Sequence, residues 1–84
     1  MVQINDVYEI GGKRYRITGA LSVGGWATTA IPEADPSNRA HTVYAQELKR
    51  VKGDWVPRTV GGKPLELQND YLMGSIRRGE AVKL

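Results

Sequence analysis

Cysteine and phenylalanine are both missing from this chain, and histidine occurs once, as His41. Without cysteine there is no disulfide to staple the fold and no cysteine-ligated zinc site. A cysteine-free small domain also suits a reducing compartment. A metal site built on histidine alone needs several chains. Catalysis by a single histidine needs a nucleophile and an orienting carboxylate close by, and the sequence flags no such pair; His41 reads as an ordinary strand residue. No apolar run approaches the roughly 20 residues needed to cross a bilayer. Met1 to Asp6 has no basic segment followed by an apolar stretch, so no signal peptide is expected there. No phosphate loop is present either. Gly62-Lys63 is followed by Pro64 rather than Ser or Thr, and no Gly-x-Gly-x-x-Gly opens a helix. The nine carboxylates are scattered. The expectation is a soluble cytoplasmic protein that is not an enzyme and takes no cofactor.

What is present is glycine in pairs. Ile10-Gly11-Gly12, Val23-Gly24-Gly25 and Val60-Gly61-Gly62 each set two glycines after a β-branched residue, within only 84 residues. Glycine reaches positive φ at no steric cost, so each pair reads as a tight corner after an extended run. Residues 7–21 read as a hairpin turning at Gly11-Gly12. That register sets Tyr8 opposite Tyr15 and Glu9 opposite Arg14. Tyr8, Ile10, Tyr15 and Ile17 then share one face, while Glu9, Arg14 and Arg16 share the other. An aromatic pair and an opposite-charge pair across two strands each contribute about 0.2–1 kcal/mol.

Gly19 to Gly25 reads as a strand end and a loop, and Trp26 to Ile31 as the next strand. Pro32 to Arg39 holds two prolines and several turn formers, so it reads as a surface loop. It is long for a hairpin connection, a trait of functional loops as well as of idle excursions. His41 to Ala45 resumes strand character. Gln46 to Val51 prefers helix by propensity but also continues a strand into a turn at Lys52-Gly53; extended structure with at most one helical turn is favoured. Asp54 to Arg58 then returns, with Pro57 at an edge or strand end. From Asn69 or Asp70 as N-cap to Arg78, one short helix is expected. Leu72 and Ile76 lie on one face, Arg77 and Arg78 sit near its C-terminus, and Gly79 follows as the terminating residue. The tail Ala81 to Leu84 adds an edge strand or frays.

These elements sum to a mainly β protein, one domain over 1–84. About five antiparallel strands curl into a small barrel over 5–60, with a C-terminal helical segment over 65–84. Curling hides the sheet edges. The run Tyr8-Glu9-Ile10-Gly11-Gly12-Lys13-Arg14-Tyr15-Arg16-Ile17 resembles the opening hairpin of SH3-like small barrels of the KOW and Tudor type. The order that follows is similar too: a long loop, two strands, a short turn near Glu47-Leu48-Lys49 and a last strand at Trp55-Val56-Pro57. Barrels of this kind are frequent in phage and mobile-element proteins, which the resemblance brings in as a source.

The net charge of +3 and a pI near 9.5 permit an anionic partner. What decides is where the cations fall. Arg14 and Arg16 point to one face of the first hairpin, and Lys49, Arg50 and Lys52 form a second basic run. If the fold joins them, the strip can neutralise phosphates, and an exposed ring beside it can stack on bases. Trp26, after a glycine corner, reads equally as a core plug or a binding anchor; Trp55 leans to the core. Three functions follow. The first is nucleic-acid binding through Arg14, Arg16, Lys49, Arg50 and Lys52, with Trp26 as stacking group. The second is a protein-binding module, such as a phage-encoded inhibitor of a host enzyme or defence complex. The third is a structural subunit of a virion assembly.

Overall fold

Two long strands carry the molecule, β3 (Lys13–Gly24) and β6 (His41–Val51). The computed structural model describes residues 1–24, 27–68 and 70–84. β3 and β6 run antiparallel, with Arg14 opposite Leu48 at one end and Ser22 opposite His41 at the other. The outer edge of β3 is shared end to end. β2 (Val7–Ile10) pairs with its first part and β4 (Ala27–Ile31) with its last. The outer edge of β6 is shared the same way by β10 (Glu66–Gln68) and β7 (Asp54–Pro57). β11 (Val82–Lys83) adds to β2. Two short pairs stand apart: β1 (Val2–Gln3) with β5 (Glu33–Ala34), and β8 (Thr59–Val60) with β9 (Lys63–Pro64).

The first hairpin forms in the expected register, Tyr8 opposite Tyr15 and Glu9 opposite Arg14. Its turn has φ of 54° at Gly11 and 83° at Gly12. Positive φ at both central residues is the type I′ requirement, whose twist matches that of the strands. Gly61-Gly62 and Lys52-Gly53 repeat it. Of the corner expected at Gly24-Gly25, only Gly24 is among the described residues. That residue is extended within β3, opposite Ala27, and Gly25 and Trp26 lie outside the described residues. The stretch from Gly19 therefore continues the strand rather than ending it.

Between Ile17 and Gly19 the β3–β6 register shifts by one residue. Such a bulge swaps the inward and outward positions of a strand. Before it Ile17 is buried, and after it Ala20 is. One strand can thus feed the core in both halves. Gln46 to Val51 is strand throughout, with no helical turn. Its helix-favouring residues are overridden by cross-strand partners, β3 up to Leu48 and β7 from Leu48 to Val51, since sheet position outweighs local preference.

The sheet does not close into a five-stranded barrel. Eleven strand segments occur among the described residues, and the main ladder ends openly at β10 and β11. The segments are laid end to end along two long strands, not side by side around a ring. Helix α1 (Asp70–Arg77) packs on one side of the open sheet. Its Leu72 and Met73 join Val2, Tyr8, Ile17, Val43 and Ala45 in one core. The helix ends at Gly79, with φ of 76°, where Gly79 N–H donates to the Ile76 carbonyl and Glu80 N–H to that of Ser75. This is the paired bond pattern of a glycine-terminated helix. Of the two N-cap candidates, Asn69 lies outside the described residues. The Pro32–Arg39 stretch is not only a surface loop, because it contains β5 and fully buries Ala34 against β1.

The turn geometry separates two glycines of similar sequence context. Gly12→Ala places a side chain at φ 83°, whereas a Cβ at Gly24 meets open space at ordinary φ. We expect Gly12→Ala to cost about 1 kcal/mol and Gly24→Ala to be neutral or slightly stabilising. Urea midpoints for the two variants check this; equal losses would contradict the assigned turn.

Candidate binding face

Cross-strand register decides which cations meet. On the face of the sheet away from the helix, Arg14 stands opposite Leu48 and Arg16 opposite Gln46. Leu48 stands opposite Pro57, and Arg50 opposite Trp55. Residues paired across neighbouring strands project to the same side. Arg14, Arg16, Arg50 and Trp55 therefore share one face. The Arg14 guanidinium carbon lies 4.3 Å from the centre of the Trp55 ring, in cation–π contact. The Arg16 guanidinium donates to the Gln46 side-chain oxygen at 2.8 Å.

These side chains border an open cavity of about 440 Å³, lined by Arg14, Arg16 and Trp55 together with Val7, Leu48, Pro57 and Leu84. Leu84 reaches it because the tail pairs with β2, its N–H donating to the Val7 carbonyl at 2.9 Å. Glu9 approaches Arg14 Nε at 3.4 Å, an ion pair without hydrogen-bond alignment. Glu66, opposite Gln46, borders the face on its other side. The Nε atoms of Arg14 and Arg16 are both buried and lack a hydrogen-bond partner. An unpaired buried donor of a charged group carries a desolvation cost, and for Arg14 the Glu9 carboxylate at 3.4 Å offsets part of it.

The basic run 49–52 is split by the strand. Lys49 pairs with Val56 and projects to the opposite side from Arg50. Lys52 occupies the turn, at φ 52°. Of the six expected binding residues, three gather on one face, two do not, and Trp26 lies outside the described residues. The ring that does stand there is Trp55, half-buried rather than a core plug. The signal for it was the Lys52-Gly53 turn, whose two-residue loop sets Trp55 opposite Arg50.

The opposite side consumes its cations. Glu47 holds Arg58 at 2.8 Å and Lys13 at 3.7 Å. The bond from Arg58 keeps the Glu47 carboxyl below its ordinary range, and the nearby charges of Arg58 and Lys13 add to this. Lys83 pairs with Asp6 and Arg78 with Glu80. Among the described residues no group of three or more His, Asp or Glu side chains is placed to hold a metal ion. No helix among them is long and apolar enough to cross a membrane. No family model, no curated protein and no solved structure matches the chain.

The Glu47 cluster generates a pH test. A carboxyl with a lowered folded pKa adds stability above its unfolded pKa and loses it as pH falls through the folded value. We expect Glu47→Gln to flatten the loss of stability between neutral pH and about pH 3. Urea midpoints across that range measure it; an acid limb of unchanged slope would show that Glu47 does not contribute.

Proposed function

We propose that this protein is a non-enzymatic module that binds single-stranded nucleic acid on the face of Arg14, Arg16, Arg50 and Trp55. The observation that carries the reading is the gathering of Arg14, Arg16 and the Trp55 indole around one cavity, with Arg14 stacked over the ring. A nucleotide brings the two matching features: a phosphate with acceptor oxygens and a flat base. Arginine pairs with phosphate through a planar fork and also stacks. The base lies against the Arg14–Trp55 layer, where stacking is worth about 1–3 kcal/mol per base and tolerates any sequence. Arg50, at the far end of the same face, extends the phosphate track.

A second reading is favoured by one feature of the same cavity. Val7, Leu48, Pro57 and Leu84 make its walls largely apolar, which also suits a protein segment ending in a carboxylate. Affinity capture before and after nuclease treatment separates the two. A partner retained after nuclease treatment belongs to the second reading.

The direct test is anisotropy of a labelled oligothymidylate at low ionic strength. With three arginines on phosphates, the logarithm of the binding constant should fall against that of salt with slope about −2. Arg14→Ala with Arg16→Ala should abolish binding, and Trp55→Ala should weaken it about tenfold or more. Lys49→Ala with Lys52→Ala should change it by no more than about one salt-slope unit. No anisotropy change at low salt sinks the proposal.

A further inference from the structure

Two of the arginines without an ion pair meet at a second cavity. Among the described residues, neither Arg39 nor Arg77 forms an ion pair, while Lys13, Arg14, Arg58, Arg78 and Lys83 each face a carboxylate. Arg39 and Arg77 are 38 positions apart in sequence, yet both line one open cavity of about 290 Å³ together with His41, Thr42 and Met73. The cavity lies between α1 and the start of β6, away from the Arg14–Trp55 face.

Its walls are fixed by local hydrogen bonds. Arg77 Nε donates to the Pro36 carbonyl at 2.6 Å, which holds the guanidinium at the cavity and leaves its terminal nitrogens to other acceptors. The Asp35 N–H donates to His41 Nδ1 at 2.9 Å. That bond uses the Nδ1 lone pair, so the ring of the neutral histidine carries its proton on Nε2, as a donor. The backbone of Arg39 is framed by Ala40 N–H donating to the Asn38 side chain and by Val23 N–H donating to the Ala40 carbonyl at 2.6 Å. Of the two carboxylates of the Pro32–Arg39 stretch, Glu33 accepts from the Gln3 side chain, and Asp35 lies beside His41. Asp35 accepts from both the N–H and the hydroxyl of Ser37; its charge acts on the neighbouring His41, and among the described residues it forms no ion pair with Arg39 or Arg77.

We propose that this cavity binds a phosphate group through Arg39, Arg77 and His41. The three donors come from a loop, a helix and a strand. A phosphate offers three terminal oxygens to donors on different sides, where a carboxylate offers two in one plane. The group can come as free phosphate or as the terminal phosphate of a nucleic-acid strand. The inference stands independently of the Arg14–Trp55 face, since it uses none of its residues.

The test is a titration of the ¹⁵N-labelled protein with inorganic phosphate, against chloride at matched ionic strength. We expect saturable shifts of the amides at residues 39–42 and 77. Arg39→Ala and Arg77→Gln should each weaken binding about tenfold. The glutamine keeps a donor for Pro36 O, so its loss of binding reports charge rather than a loosened loop. Arg14→Ala with Arg16→Ala should leave these shifts unchanged, which separates failure here from failure of the other face. Oligonucleotides with a 5′-phosphate and a 5′-hydroxyl then assign the source. Tighter binding of the phosphorylated strand, lost in Arg39→Ala, points to a strand end, and equal binding points to free phosphate. Shifts matched by chloride, or unaltered in both single variants, overturn the proposal.

Discussion

The register of β3 against β6 is the constraint on which the rest depends. It sets Arg14 against Leu48 and Arg16 against Gln46, and through Leu48 and Arg50 it fixes where β7 can lie. Side chains alternate along a strand, so a slip of one residue would turn both arginines toward the core and Tyr15 and Ile17 toward water. Neither outcome is tolerable: buried unpaired guanidinium groups cost several kcal/mol each, and the core would lose its fully buried Ile17. The binding face and the core are thus opposite consequences of one alignment.

The same ladder explains why the sheet stays open. The one-residue shift after Ile17 lets a single strand serve two partners on its outer edge, β2 then β4. β6 does likewise with β10 and β7. Ring closure would require the outermost strands to meet, but these are the short β10 and β11. The apolar side is instead covered by α1, which contributes the fully buried Leu72. A helix on one side of an antiparallel sheet is a complete solution for a small core, and it leaves the other side available to solvent and ligand.

Turn chemistry was legible in the sequence, and long-range placement was not. Gly11-Gly12 and the alternation around it specified the first hairpin down to its residue pairs, and Gly79 specified the helix end, because both are determined by neighbouring residues. The Lys52-Gly53 turn, also legible, carried the same information for Trp55, whose place on the outer face follows from the pairing across that turn. The bulge near Thr18 has no local marker beyond Gly19, a residue that signals a strand end as readily as the change of phase that occurs there. Pairing of β1 with β5 joins residues some thirty positions apart, and no pattern within either segment encodes it. The meeting of Arg39 with Arg77 is of the same kind.

Cations on this molecule divide by what surrounds them rather than by their number. On the helix side, Lys13 and Arg58 converge on Glu47, and their charge is spent within the fold. On the outer face, Arg14 lies over an indole with Glu9 at 3.4 Å, and Arg16 sits beside an amide that does not cancel its positive charge. An arginine held by a neutral amide, as Arg16 is by Gln46, is ordered without being neutralised, which lowers the entropy lost when an anion arrives. Lysines, with flexible stems and strongly hydrated heads, serve that purpose poorly, and here they fall at the turn and on the opposite side. The modest net charge of +3 therefore understates the positive potential available at the cavity, because the carboxylates that lower the total are mostly engaged elsewhere.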